Sequence, residues 1–391
     1  MTTPMAKRES ISSKGLVTLQ DIAERCGVKK NLVSRVLRGL EHISPAKRAH
    51  VLQVAEEMGY NPMQHDAARR LALRKNGQNA PTNVIALYLP LPENGTPAHQ
   101  YTNEIYQGLL HALKSAGYSA LVTTTDFRQD GVITLPPPFH RGHVDGLITM
   151  FQSFSCYPLY AALRALPTFS TRPILSLMHA VRGANFVGAD DQAGAYAATA
   201  HLLALGHRHL LLFVDQVLGT VETARIAGAR EAFCEQGLDP TYYLHQYPVS
   251  CGGVWWLDPD PKHFTTPEGE VPELELAARR QLAEYLRAHP EITALLAQND
   301  TNARHAWYTI NAMGLRVPEN ISLIGFDDVD PILDDQGHNL LTSVCIPLYD
   351  IGHTAGSTII RHLEDPTLPD EEIILPTTLV VRASTGPAPR G

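Results

Sequence analysis

The sequence predicts a small all-α helix-turn-helix N-terminal domain followed by an α/β core of two parallel-sheet lobes. Three observations carry this. The chain has 391 residues, too many for one ordinary core of roughly 100–200 residues. Residues 18–60 show helical periodicity only, whereas from residue 83 strand-like and helical runs alternate. Charge divides at nearly the same place. Residues 1–75 hold 14 Lys and Arg against 7 Asp and Glu, a net +7, and the remainder holds 18 against 33, a net −15. The whole-chain charge of −8 conceals this split. A basic head on an acidic body points to a polyanion bound at one end.

Composition excludes several classes. Hydrophobic residues at 44% and charged residues at 18% argue against a disordered or fibrous chain. No apolar run approaches the roughly 18 residues of a membrane helix. The opening MTTPMAKRESISSKG lacks an apolar stretch after its charges, so no secretory signal is expected. The five cysteines, Cys26, Cys156, Cys234, Cys251 and Cys345, have no CxxC spacing. A reducing cytoplasm is therefore expected, without a disulfide or zinc framework.

The elements follow in order. Residues 1–15 are polar. Thr18, with Asp21 three residues on, resembles a capping box and starts a helix bearing Leu19, Ile22 and Ala23 on one face. Gly27 stops it. A second helix carries Leu32, Val33, Val36 and Leu37, and Gly39 closes it. Ser44-Pro45 opens a third, a side-chain cap followed by proline at the first helical position. Its expected apolar stripe is Val51, Leu52, Ala55 and Met58, with Gly59 at its end and Asn61-Pro62 beyond. Three short helices, the first two joined at Gly27, form a helix-turn-helix pattern. HDAARRLALRKN is then a short basic helical stretch, and Gly77 to Pro81 a linker.

In the core, strands are expected at 83–89, 121–125, 144–150, 174–178, 186–188, 209–214, 294–297 and 322–325. Helices are expected at 105–116, 193–205, 225–236, 275–288 and 301–313. Such alternation implies parallel sheets covered on both faces. Residues 127–142 and 241–272 read as irregular, the latter containing Trp255-Trp256. A loop that long is usually functional or mobile.

The segment VTLQDIAERCGVKKNLVSRVLRG, Val17 to Gly39, resembles the DNA-binding headpiece of the lactose/galactose repressor family. The family pattern V-T-[IL]-x-D-[IV]-A-x-x-A-G-V-S-x-x-T-V-S-R-V-L-N is kept at Val17, Thr18, Leu19, Asp21, Ile22, Ala23, Gly27, Val28, Val33, Ser34, Arg35, Val36 and Leu37. SPAKRAHVLQVAEEMGYNP is similar to the family's third helix and its terminal Tyr-x-Pro. The resemblance implies that the second helix enters the major groove with its first residues at base edges. Lys30, Asn31 and Arg35 then face bases. Lysine and arginine suit guanine O6/N7, and asparagine suits adenine N6/N7. Thr18, Lys29, Ser34 and Arg38 are candidate DNA contacts, with Thr18 and Ser34 toward phosphates, which position without specifying. Lys29 replaces the usual Ser and Leu32 the usual Thr. Ala68-Arg69-Arg70-Leu71 resembles the hinge helix, in which Leu71 would wedge into the minor groove, but with two extra residues after Pro62.

The remainder resembles the family's regulatory core, two Rossmann-like lobes similar to type I periplasmic binding proteins. The matching phrases are GADDQAGAYAATAHLLALGHRHLLLF, TARIAGAREAF, ALLAQNDTNARHAWYTINAMGLRVPENISLIGFDD, LTSVCIPLYDIGHTAG and ILPTTLVVRAST. The resemblance implies three crossings between lobes and an effector in the cleft. It carries effector-binding roles to Arg225, Asn299 and Asp327, and an aromatic stacking role to Tyr101. A planar donor fork, an amide and a carboxylate match a polyol. Met178 stands where the family often has Asp. Histidines number 18, but none has the spacing of a metal motif with a third ligand near. His207-Arg-His209 resembles the family's G-H-R-x-[IL] turn, so structural roles are expected there and no metal.

The expected organisation is a headpiece at 1–62, a hinge helix and linker at 63–81, and an effector core at 82–391. Its N-lobe spans about 82–189 and 346–375, its C-lobe about 190–345 and 376–391. The expected function is an operator-binding regulator, acting as a homodimer on double-stranded DNA and controlled by a small-molecule effector, with a carbohydrate favoured. No cofactor and no membrane partner are expected. A sugar-binding transport component has the same cleft, but the intact Val17 to Gly39 motif speaks against it. An α/β enzyme lacks support from any G-x-G-x-x-G, G-x-x-x-x-G-K-[ST] or G-x-S-x-G motif.

Overall fold

The computed structural model describes residues 17–37, 43–60, 81–88, 100–123, 126–127, 133–150, 153–214, 219–248 and 273–390. Arg38, Leu71, the hinge stretch and the Trp255-Trp256 loop lie outside these residues. The chain divides into two compact units, Met1–Thr82 and Asn83–Gly391.

The first unit holds α1 (Leu19–Cys26), α2 (Lys30–Leu37) and α3 (Pro45–Glu57). The Thr18 capping box forms: Thr18 N–H donates to Asp21 Oδ2 at 2.7 Å, and Asp21 N–H donates to Thr18 Oγ1 at 3.3 Å. Gly27 takes the left-handed conformation at φ 65° and turns the chain into α2. Ile22, Ala23, Val33, Val36, Val51, Val54 and Ala55 form the core of the unit. Two expectations are corrected. Leu52 is 44% exposed and Val54 takes its place, because 51, 54, 55 and 58 share a face at 3.6 residues per turn and 52 does not. Ser44 makes no side-chain cap, so α3 simply begins on Pro45, whose missing N–H leaves one donor fewer to satisfy.

The second unit runs β1 (Val84–Tyr88), α4 (Gln100–Ser115), β2 (Ser119–Thr123), β3 (Asp126–Phe127), β4 (Ile133–Thr134), α5 (Pro137–His140), β5 (Gly146–Thr149), α6 (Ser153–Arg164), β6 (Ile174–Leu177) and β7 (Asn185–Ala189). It continues with α7 (Asp191–Ala204), β8 (His209–Val214), α8 (Thr220–Glu235), α9 (Pro240–Tyr243), β9 (Leu244–Pro248), α10 (Glu273–Ala288), β10 (Ile292–Leu296), α11 (Asp300–Ala312), β11 (Ser322–Asp327) and β12 (Thr342–Cys345). It closes with α12 (Leu348–Glu364), β13 (Glu372–Leu375) and β14 (Thr378–Val380).

Two six-stranded sheets result, ordered β13-β7-β6-β5-β1-β2 and β14-β12-β11-β10-β8-β9. Every pairing within them is parallel except β12 with β14. Near-continuous apolar strands such as Ile174–Leu177 and Ser322–Asp327 are buried along their whole length, as parallel sheets require. The chain passes between the sheets at residue 190, at 346–347 and at 376–377. Two passages touch: Asp190 N–H donates to the Leu375 carbonyl at 2.8 Å, and Thr377 Oγ1 donates to the Asp190 carbonyl at 3.1 Å.

Two stretches read as irregular contain short elements. Asp239 accepts from Thr241 N–H at 2.9 Å to start α9, and β9 gains its ladder from β8. Likewise β4 and α5 lie within 127–142. Their brevity leaves too few residues for a period to emerge.

Candidate functional site

In the headpiece, Lys29, Lys30, Asn31 and Arg35 are exposed and Ser34 is half-buried. They cluster on and just before α2, while Val33 and Val36 of the same helix are buried at 0% and 3%. The helix is thus pinned by its apolar face and offers a cationic, amide-bearing face outward. Thr18 is exposed, but its hydroxyl also donates to Asp21 Oδ2 at 2.8 Å. Its first task is holding the start of α1.

In the core, Arg225 sits in α8, one turn before Gly228. A Cβ at Gly228 would overlap the Gln192 carbonyl of α7. This close helix approach is one that only glycine permits, and it brings Arg225 onto Asp191. Arg225 Nε donates to Asp191 Oδ1 at 2.8 Å, and its Nη2 lies 2.7 Å from the same oxygen. Nη1 donates to the Gln298 carbonyl. Nη2 also lies 3.8 Å from Asp327 Oδ1. The guanidinium covers the Phe326 ring, with Cζ 3.6 Å from its centroid, a cation–π contact. Asp191, Arg225, Gln298 and Asp327 are all buried.

Among the described residues, carboxylates outnumber cations here. Glu222 accepts from Gly219 N–H at 2.9 Å and from Gln298 Nε2 at 3.3 Å. Asp300 accepts from Ser343 Oγ at 2.5 Å and from Val329 N–H at 2.7 Å. Burial raises the Asp300 carboxyl to about 6, against the pull of these hydrogen bonds. Burial likewise raises Asp327 to about 8, with Arg225 pulling down and Asp300 and Asp191 adding to the rise. Desolvation of the charged form outweighs a cation 3.8 Å away. Asp327 and Asp328 have φ of 95° and 61°, unusual for non-glycine residues. Arg382 grips Asp328 through Nη1 to Oδ1 at 2.6 Å and Nη2 to Oδ2 at 2.9 Å, holding the strained pair in place.

The first-sheet lobe contributes Tyr101, on the first turn of α4. Burial, then the nearby Asp327 and Asp191, push its hydroxyl well above 10, so it stays a neutral donor. His179 follows Met178, whose φ is 63°. Burial lowers His179 to about 4, and its buried Nδ1 has no hydrogen-bond partner among the described residues. Asn299 caps α11, accepting Asn302 N–H at 2.8 Å, which leaves its amide N–H groups for other work.

The structure thus brings Tyr101, Arg225 and Asp327 together and sets Asn299 beside them in sequence with Gln298. Asp191, Glu222, Gln298, Asp300, Phe326 and His179 were not singled out from sequence. A signal existed for Asp191. In GADDQAG two acids open a helix, and only Asp190 is needed as the cap, accepting Ala193 N–H at 2.9 Å. Phe326 and Asp300 lie inside the matching phrases, but their contacts join helices to strands far apart in the chain.

A helix-turn-helix headpiece followed by two parallel-sheet lobes with a buried charged cluster defines a class of protein, the DNA-binding regulators with a periplasmic-binding-protein-like core. The profile described as bacterial regulatory proteins, lacI family, matches residues 18–63, and that of a periplasmic binding protein-like domain matches residues 199–385. The chain thus carries a LacI-family helix-turn-helix domain and a periplasmic-binding-protein-like domain, and its relatives are LacI-family regulators. It is 28% identical to the HTH-type transcriptional regulator DegA of Bacillus subtilis (strain 168) over 378 residues, 95% of this chain and 98% of the relative. In fold it resembles the transcriptional regulator CelR in complex with cellobiose, with a TM-score of 0.58, 23% identity, and 94% and 99% of the two chains covered. The lac repressor dimer bound to operator and the anti-inducer ONPF gives 0.58, 21%, 95% and 100%. Among the described residues, no helix is long and apolar enough to cross a membrane.

Proposed function

We propose that this regulator is a homodimeric repressor whose operator affinity is set by a carbohydrate bound between the lobes. Residues 1–62 read DNA, 63–81 couple reader to sensor, and 82–391 bind the effector. Lys30, Asn31 and Arg35 read base edges, while Lys29, Ser34, Arg38 and Thr18 position the helix on phosphates. Leu71 wedges into the minor groove at the operator centre. The observation that carries the effector reading is the excess of buried carboxylates around the Arg225 fork. Acceptors of this kind call for a ligand rich in hydroxyl donors. The related CelR was solved with cellobiose, which supports a sugar of that class. Tyr101 stacks on a ring, Arg225 and Asn299 donate, and Asp327 accepts. No group with catalytic geometry is assigned, and regulation without turnover is the reading. The effector acts through its different affinities for open and closed lobes.

The test is fluorescence anisotropy on a duplex selected from a randomised pool. Specific binding that weakens steeply with salt, and that mono- or disaccharides alter, is expected. Asp327→Ala should abolish the sugar response and spare operator binding. Salt-insensitive binding, or no selected sequence, overturns the reading.

A further inference from the structure

The far end of the C-lobe sheet carries a second cluster that the cleft does not use. Strands β9, β8 and β10 are neighbours in that order and run parallel. Their N-terminal ends therefore share one edge, opposite the edge at which Gln298 follows β10 and Asp327 ends β11. His209 begins β8, His245 is the second residue of β9, and Glu291 immediately precedes β10. His209 lies on the same face of β8 as Leu211 and Phe213, which pack with Tyr247 of β9 and Tyr285 of α10.

His209 Nδ1 lies 3.2 Å from His245 Nε2, and His245 Nε2 lies 3.9 Å from Glu291 Oε1. One nitrogen or oxygen from each residue falls within 4.8 Å of the others. Two nitrogens bound to a tetrahedral Zn2+ at about 2.0–2.1 Å stand about 3.3 Å apart. The histidine pair already has that bite.

We propose that His209, His245 and Glu291 bind a divalent transition metal of the Zn2+ type. Two imidazoles and a carboxylate are the donor set such borderline ions take, and Mg2+ or Ca2+ would prefer all-oxygen ligands. The fourth place is left to water or to a ligand from outside. His289 supplies the outer support that metal-bound carboxylates usually have: its Nδ1 lies 3.1 Å from Glu291 Oε1. Tyr242 and Tyr243 pack edge-on against the His209 ring, at 5.5 and 5.1 Å between centroids, and fix its plane. Without metal, one imidazole N–H donates to the other. With metal, that proton resides on the far nitrogen of the same ring, and both facing nitrogens are lone-pair donors. Bound metal ties the edge strand β9 to β8 and to the turn before β10. Spacings of 36 and 46 residues between ligands hide the site from sequence inspection.

The full-length protein, stripped with chelator and dialysed, is titrated with ZnCl2 by calorimetry beside the H209A/H245A variant. The wild type is expected to take up one more equivalent than the variant. Co2+ in its place should give the visible bands of a four-coordinate ion in the wild type alone. Glu291→Gln, at an exposed position, keeps the fold and should weaken binding at least about tenfold. Zn2+ should raise the melting temperature of the wild type and not of the double variant. Far-UV circular dichroism verifies that the variants fold. Equal stoichiometry and affinity in wild type and in a folded variant would overturn the site and leave a hydrogen-bonded imidazole pair.

Discussion

The headpiece and the effector cleft are built on opposite plans. In the headpiece, each described side chain proposed to meet DNA lies within a few residues of the cap, turn or apolar position that orients it. Lys30, Asn31 and Arg35 share one eight-residue helix with Val33 and Val36. In the cleft, Arg225 meets Asp191, Gln298 and Asp327 from 34, 73 and 102 residues away. The reader is local, exposed and cationic, whereas the sensor is assembled over long range, buried and acidic. A reader so made withstands loss of one side chain with its fold intact. A sensor so made does not, since each charge is held by another.

Arg225→Ala should give the largest effect. It strands Asp191 in a buried site, and breaking a buried pair from one side costs about 3–5 kcal/mol. Urea unfolding of the core should show this, together with loss of effector binding; unchanged core stability would break the comparison. Arg35→Ala should cost about 1–3 kcal/mol of specific operator binding, with effector affinity by calorimetry unchanged. An equal loss across all duplex sequences would reassign Arg35 from bases to phosphate. Thr18→Ala removes the α1 cap and should cost about 1 kcal/mol of headpiece stability, read by thermal melting of the first transition.

A further effect is read against pH. The folded Asp327 carboxyl lies at about 8, against 3.8 ordinarily. Its contribution to core stability is full below the ordinary value and is lost as pH rises toward 8. Asp327→Asn, which cannot ionise, should melt a few degrees above wild type at pH 8 and match it near pH 4. His179 runs the other way. Its folded value of about 4 lies below the ordinary 6.5, so stability present above 6.5 is lost as pH falls. A melting profile with no pH-dependent gap between the D327N variant and wild type would show Asp327 to be solvated.

The same contrast explains what was legible. Thr18, Asp21 and Gly27 declare a cap and a turn because those effects act over three or four residues. Alternating runs declare the parallel sheets because burial on both faces dictates composition. Arg225, Asp327 and Asn299 were legible only through resemblance. Their partners were not, because the contact of Arg225 with Phe326 depends on how α8 is set against β11. Leu52 was misplaced because one residue of drift on a helix rotates a side chain by about 100°. The His209 cluster escaped because three adjacent strands bring together residues far apart in the chain.

The three passages between the sheets have a mechanical meaning. Residue 190 and residues 376–377 are bonded to each other, and Ile346 N–H reaches the Asp327 carbonyl at 3.5 Å. A rotation of one lobe on the other would pivot along this line. Asp191 is the first residue beyond one passage, and Asp327 lies against another. The buried carboxylates around Arg225 thus sit almost on the axle. Points on an axle barely travel, while points far from it sweep in proportion to their radius. A ligand held by a few hydrogen bonds at the pivot sets an angle, and the distant surface of the N-lobe receives that angle as displacement.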